Sequence, residues 1–175
     1  MEFKPFPKIS RWNREVIVTE KIDGTNASIY IDPDGEFLTG SRNRWITPDN
    51  DNYGFSKWAY ENKEELLKLG PGHHFGEWWG QGIQRNYGLK EKRFSLFNVC
   101  RWGDNVLPYC FQPVPILFRK TAEYLDIPGI MAQLKETGSK AAPGFMKPEG
   151  IIIYFVQNGA IFKKTFDKDA EGKGQ

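Results

Sequence analysis

The spacing of apolar and polar positions separates the chain into strands first. In Glu15-Val16-Ile17-Val18-Thr19-Glu20 a β-branched run sits between charged ends, the composition of a strand. Ala27-Ser28-Ile29-Tyr30-Ile31 and Glu36-Phe37-Leu38-Thr39 flank Asp32-Pro33-Asp34-Gly35. There Pro presets one dihedral and Gly accepts positive φ, which predicts a hairpin. After Asp51 and Asn52, either of which can cap a helix, Phe55, Trp58, Ala59, Leu66 and Leu69 keep a helical spacing until Gly70-Pro71 stops it. Strands are predicted again at 73–78 and 93–99. Segment 102–114 is broken at Gly103, Pro108 and Pro113 and reads as a connector. Two shorter helices are expected at 117–125 and 130–135, then a loop rich in Gly, Pro and Lys at 139–148. The pattern closes on strands at 150–157 and 160–166 joined by the hairpin dipeptide Asn158-Gly159. Strands outnumber helices and come in hairpins. The expected fold class is α+β, antiparallel sheets flanked by short helices, in a single domain over 1–166 with a polar, frayed tail at 167–175.

Composition removes several kinds of chemistry. A chain of 175 residues suits one domain. Its net charge of +2 is too small to announce a nucleic-acid partner. The longest apolar run, 151–156, is far short of the roughly 20 residues a membrane helix needs, and the N-terminus shows no secretory pattern. A cytoplasmic protein is expected. Cys100 and Cys110 lack Cys-x-x-Cys spacing, and His73 and His74, being neighbours, would point to opposite faces of a strand. Neither a zinc site nor a Ser-His-Asp triad can be assembled from so few ligands, and no Walker or dinucleotide fingerprint occurs. The chemistry left is that of lysine, arginine, carboxylates and an oxygen-ligated metal. Aromatic residues make up 15% of the chain; such residues build cores, and they also stack on nucleobases.

The segment Glu20-Lys21-Ile22-Asp23-Gly24-Thr25-Asn26 places a lysine at a strand end with a glycine three residues on, where backbone can approach a ligand closely. Alone, such a segment is more often a surface lysine before a turn. Further segments bear on it. Lys21-Ile22-Asp23-Gly24 resembles the Lys-x-Asp-Gly motif of the covalent nucleotidyltransferases, the ATP-dependent RNA and DNA ligases and GTP-dependent capping enzymes. Ser41-Arg42-Asn43-Arg44 resembles the basic motif of the RNA-ligase branch. Phe75-Gly76-Glu77-Trp78-Trp79-Gly80 resembles the strand motif carrying Gly-Glu, and Leu96-Phe97-Asn98-Val99 the segment whose aromatic stacks on the purine. Glu149-Gly150-Ile151-Ile152-Ile153-Tyr154 and Phe162-Lys163-Lys164-Thr165 sit where the last two motifs belong. Six matches in family order span about 15–166, and the stretch from Gly76 to Arg85 is most similar to ligases of the bacteriophage RNA ligase 2 type.

The resemblance implies a nucleotidyltransferase (ATP-grasp-like ligase) fold and a three-step reaction. Lys21 would attack the α-phosphate of ATP to give lysyl-AMP; AMP would pass to a 5′-phosphate; a 3′-hydroxyl would then displace it and seal RNA strands. A free lysine with pKa about 10.4 is neutral in only about one molecule in a thousand near pH 7.5, so the nucleophile needs desolvation or neighbouring cations. Lys163 and Lys164 are the candidates for catalytic cations. By the same resemblance Glu20, Ile22, Asp23, Gly24, Arg42, Glu77, Phe97, Glu149, Lys163 and Lys164 would contact the nucleotide. Glu77 would accept from the ribose hydroxyls, Phe97 would carry the adenine, and Glu149 is the leading carboxylate for Mg²⁺, with Mn²⁺ as a substitute. Arg42 and Arg44, on one strand face, and Arg85, Lys90 and Arg93, with Lys92 and Arg101 beside them, are candidates for RNA phosphate contacts.

Two departures from the family pattern stand out. The terminal motif is usually Lys-x-Lys, whereas Phe162 lies two residues before Lys164. The chain also stops about ten residues later, where relatives continue into a second domain; strand grip would then come from this domain's own surface, with a protein partner as the other candidate to replace the second domain. A minimal DNA ligase, a capping-type guanylyltransferase and a non-catalytic nucleic-acid-binding module are the alternatives.

Overall fold

The computed structural model describes residues 1–103, 107 and 110–167. Among these residues, ten strands form two sheets. The four-stranded sheet has the order β10-β9-β1-β8, from β1 (Glu15–Lys21), β8 (Ile116–Thr121), β9 (Gly150–Phe155) and β10 (Ala160–Thr165). The six-stranded sheet has the order β4-β3-β2-β5-β6-β7, from β2 (Thr25–Ile31), β3 (Phe37–Ser41), β4 (Trp45–Ile46), β5 (Gly72–Gly80), β6 (Lys92–Leu96) and β7 (Phe111–Pro113). Every pairing is antiparallel except β6 with β7. The short helices α1 (Phe55–Glu61), α2 (Lys63–Leu66), α3 (Val99–Trp102) and α4 (Ile127–Thr137) flank them. This is the α+β architecture of the sequence pattern.

Three apolar layers result from strand alternation. Ile17 points between the sheets and meets Trp79, Val99 and Val114. Its neighbours Val16 and Val18 point the other way, onto Met131 and Leu134 of α4. On the far side of the six-stranded sheet, Ile29, Trp78 and Phe94 pack with Phe55 of α1. β1, buried from Val16 to Glu20, is therefore covered on both faces. Complete burial of one such side chain is worth about 1.5–3 kcal/mol.

Several expected elements differ. Segment 117–125 is not a helix: it supplies β8, paired to β1 along Glu15↔Thr121 to Thr19↔Ile116, and then a single 3₁₀ turn at Ala122–Tyr124. The reason is tertiary, because β1 has a free edge opposite β9 and this segment fills it. The helix expected through Leu69 is broken at Asn62 into α1, α2 and a terminal 3₁₀ turn. The N-cap position is Gly54, which makes no side-chain cap bond; Asp51, three residues before it, reaches the first turn from outside, its Oδ1 accepting from the Ser56 amide (2.8 Å) and its Oδ2 from that of Lys57 (2.9 Å). The strand expected at 93–99 ends at Leu96, and Asn98 caps α3 by accepting from the Arg101 amide. The connector at 102–114 ends in β7, and part of it lies outside the described residues. The second short helix is longer than its apolar pattern, with Asp126 accepting from the Gly129 amide at its start. Asp167, the first residue of the expected tail, takes a hydrogen bond from Arg85; residues 168–175 lie outside the described residues. No helix among the described residues is long and apolar enough to cross a membrane.

Candidate active site

Lys21 ends β1 where the chain leaves one sheet for the other. Ile22 plugs the inter-sheet core, 4% exposed, so its side chain anchors this turn and does not line a pocket. Gly24 is a glycine because β5 lies against it: a Cβ there would run into the Trp78 carbonyl and sit 2.7 Å from Trp79 Cβ. That close approach lets the Gly24 amide donate to Glu77 Oε1 at 3.0 Å, while Asn26 Nδ2 donates to Glu77 Oε2 at 3.1 Å. Glu77 is buried. Burial pushes its pKa up to about 7, against the pull of the Lys21 charge and of these two donors, and the Glu149 charge adds to the rise.

Lys21 Nζ donates to Glu149 Oε2 at 2.5 Å, and both side chains are largely covered, 23% and 14% exposed. The backbone at Gly150 holds Glu149 in place. Gly150 pairs with Lys21 on one side and Thr165 on the other, and its Cβ would lie 2.7 Å from the Thr165 Cα, so the three strands close tightly around it. Lys21, Glu149, Glu77 and Asn26 thus gather from segments up to 128 residues apart.

The strand register sorts the remaining candidates. Paired residues share a face and successive residues alternate. Lys163 pairs with Ile152, which pairs with Thr19, so Lys163 lies on the Lys21 face; Thr165 joins it there through Gly150. Lys164 pairs with Ile151, opposite Glu20, and lies on the other face with Phe162. Register thus puts Lys163 on the Lys21 face, and Lys164, with Phe162 two residues before it, on the opposite one. Glu20 also stands apart from the site. It is 1% exposed, and its Oε2 accepts from the amides of Lys140 and Ala141 at 2.7 and 2.9 Å, tying the loop after α4 to β1.

Asp23 is committed to structure: its amide donates to the Tyr87 hydroxyl at 2.8 Å, and its Oδ2 accepts from Arg85 Nε at 3.0 Å. Arg85 also donates to the Lys147 carbonyl and to Asp167, so it straps three loops together and is not free for phosphate. Arg93 is likewise held by Glu91 and the Ala141 carbonyl. Lys92 donates to the Tyr53 carbonyl and Arg101 to that of Leu69. Lys90 is exposed, away from this cluster of bonds. Arg42 and Arg44 do not share a strand face, because β3 ends at Ser41 and they form the turn into β4. Arg42 instead borders a pocket of about 250 Å³ with Asn26, Ser28, Phe75, Gly76 and Phe97. Phe97 is 41% exposed there. A cavity of about 590 Å³ lies beside β6 and β7 and includes Arg93; neither it nor the smaller pocket is lined by Lys21, Glu77 or Glu149.

Asn26, Tyr87 and Phe75 drew no role from sequence. Asn26 was legible in the same motif, two residues past Gly24; for Tyr87 and Phe75 there was no signal beyond aromaticity. Among the described residues no group of three or more His, Cys, Asp and Glu could hold a metal. One carboxylate, Glu149, suits a hydrated magnesium ion that takes its other ligands from phosphate and water.

The sequence model of the RNA ligase family matches residues 14–166. The chain belongs to the RNA ligase family. No curated protein matches it. Among solved structures, Naegleria gruberi RNA ligase with pyrophosphate is similar to this family member at TM-score 0.64 and 24% identity, over 87% of this chain and 50% of that one. A mutant of that ligase with ATP and manganese gives TM-score 0.63 at 22% identity, over 88% and 50%. Another mutant, with AMP and manganese, gives 0.60 at 23%, again over 88% and 50%. These likenesses show a shared fold. This RNA ligase family member spans about half the length of the structures it matches.

Proposed function

We propose that the chain is the adenylyltransferase part of an ATP-dependent RNA ligase, joining 5′-phosphate and 3′-hydroxyl ends through a lysyl-AMP intermediate. The observation that carries this reading is the Lys21–Glu149 contact at 2.5 Å, beside buried Glu77, in a chain of this family.

The Lys21 amine must lose a proton before its nitrogen bonds to the α-phosphorus, and pyrophosphate leaves as that P–O bond breaks. Glu149 is the acceptor within reach of the proton. Lys163, on the same face, adds positive charge where phosphates would lie. Glu77, pre-set by two donors, would accept from the ribose hydroxyls, and Phe97 offers a face to the adenine. A magnesium ion, when bound near Glu149, would neutralise phosphate charge. AMP then passes to a 5′-phosphate, and the 3′-hydroxyl displaces it. The same reading puts the reaction in the cytoplasm, where Cys100 and Cys110, both free, stay reduced.

Incubation with magnesium and α-labelled ATP should give a denaturation-resistant labelled protein, labelled GTP should not, and Lys21→Ala should abolish the adduct. Absence of adduct with ATP overturns the enzymatic reading. Pre-adenylylated RNA nicks should be sealed better than DNA nicks; equal sealing, or better sealing of DNA, overturns the RNA assignment.

A further inference from the structure

A row of aromatic rings lies on the six-stranded sheet and takes no part in the chemistry above. His73, Phe75 and Glu77 alternate along β5 and so share one face. The His73 and Phe75 rings stack at 4.1 Å with planes 28° apart, and Trp45 of β4 also stacks with His73, at 5.6 Å and 21°. Tyr30 meets His73 edge-on at 5.9 Å and closes against Trp45 at 6.2 Å.

These rings are not core. Trp45 is 52% exposed and Phe75 54%, whereas Trp78 and Trp79 on the same sheet are each 2% exposed. The row is continuous with the candidate nucleotide pocket, because Phe75 borders that pocket together with Phe97 and Arg42. Glu77 shares this face, and the turn at the Trp45 end is basic. The turn Arg42-Asn43-Arg44 leads directly into Trp45, both arginines are exposed, and no acidic residue occurs between Ser41 and Thr47. His73 is stacked by its neighbours, so the ring surface left open is that of Trp45 and Phe75; such surface beside guanidinium groups suits unpaired bases on a phosphate backbone, while a duplex hides the faces of its bases.

We propose that Trp45, His73 and Phe75, edged by Tyr30 and flanked by Arg42 and Arg44, form a stacking platform for the unpaired bases of an RNA single strand. Its use in leading a strand end to the pocket rests on the RNA-ligase reading above; the binding itself does not.

Fluorescence anisotropy of a labelled single-stranded oligouridylate, against a blunt RNA duplex of equal length, tests this without ATP. Trp45→Ala should weaken single-strand binding about fivefold or more, since one base–aromatic stack is worth about 1–3 kcal/mol. His73→Ala should weaken it as well, Trp45→Phe should hold it within about twofold, and duplex binding should not change. Lysyl-AMP formation by Trp45→Ala should match the parent protein. Unchanged single-strand binding by Trp45→Ala overturns the platform, as does an equal loss for the duplex. So does a fall in sedimenting mass on Trp45→Ala, which would mean that a second copy covers the face. A protein that binds the strand through Trp45 yet forms no ATP adduct keeps the platform and sinks the ligase reading; the reverse outcome sinks the platform alone.

Discussion

The Glu77 carboxyl accepts two hydrogen bonds and feels the Lys21 charge, yet burial outweighs all three and pushes its pKa up to about 7. The sign of the consequence comes from linkage. Between about pH 4.5 and pH 7 the unfolded chain releases this proton before the folded one does, so stability falls as pH rises through that window. The loss is on the order of 3 kcal/mol at most. Urea midpoints measured at pH 5 and pH 8 should show a larger fall for the parent than for Glu77→Gln; parallel profiles would remove Glu77 as the cause. Gly24 makes a second case at this scale. A methyl group there meets the Trp78 carbonyl and Trp79 Cβ, so Gly24→Ala must push the motif turn off β5 and break the amide contact to Glu77. Adduct formation should drop at least about tenfold, which corresponds to the ~1.4 kcal/mol of one misplaced catalytic contact. Labelled-ATP assays on folded protein check it, with the circular dichroism spectrum as the control.

At the scale of elements, β1 and α4 carry most of the positioning of Lys21. β1 is buried on both faces, and its neighbour pairings fix where its last residue emerges. α4 covers one face with Met131 and Leu134 and starts at the Asp126 cap, whose Oδ1 accepts from the Gly129 amide at 3.0 Å. Asp126→Ala should cost about 1 kcal/mol, read as a shifted denaturant midpoint. Arg85 acts across elements, holding Asp23, the Lys147 carbonyl and Asp167 at once. Arg85→Ala should therefore slow lysyl-AMP formation through a loosened motif turn while leaving the salt dependence of RNA binding unchanged. An altered salt slope would return Arg85 to the phosphate-contacting group. Strand periodicity made β1, β2, β3, β9 and β10 legible in sequence. The β8 segment was not, because Leu117 to Leu125 suits a short helix locally and becomes a strand only against the open edge of β1.

For the whole molecule, two sheets meet over a shared core, and the site opens where β1 and β5 approach across it. Ile17, fully buried between the sheets, tests that arrangement: Ile17→Ala should cost about 2–5 kcal/mol in urea unfolding. Arg85 and Arg93 are already engaged in bonds within the fold, so contacts to a strand fall to other cations, Arg42 among them. Local sequence alone determined the strand-rich α+β class, the hairpins and the order of the motifs holding Lys21, Glu77 and Glu149, because these depend on spacing and residue type. It could not determine which face of a strand turns inward. Lys163 and Lys164 are neighbours with the same chemistry, and only pairing of β10 through β9 to β1 puts Lys163 on the face of Lys21 and Lys164 on that of Glu20. The partners of Glu20, Asp23 and Arg85, and the aromatic row from Trp45 to Phe75, likewise join residues far apart in the chain. Alternation defines two faces, but distant segments choose between them by filling an edge, covering a core or closing a turn.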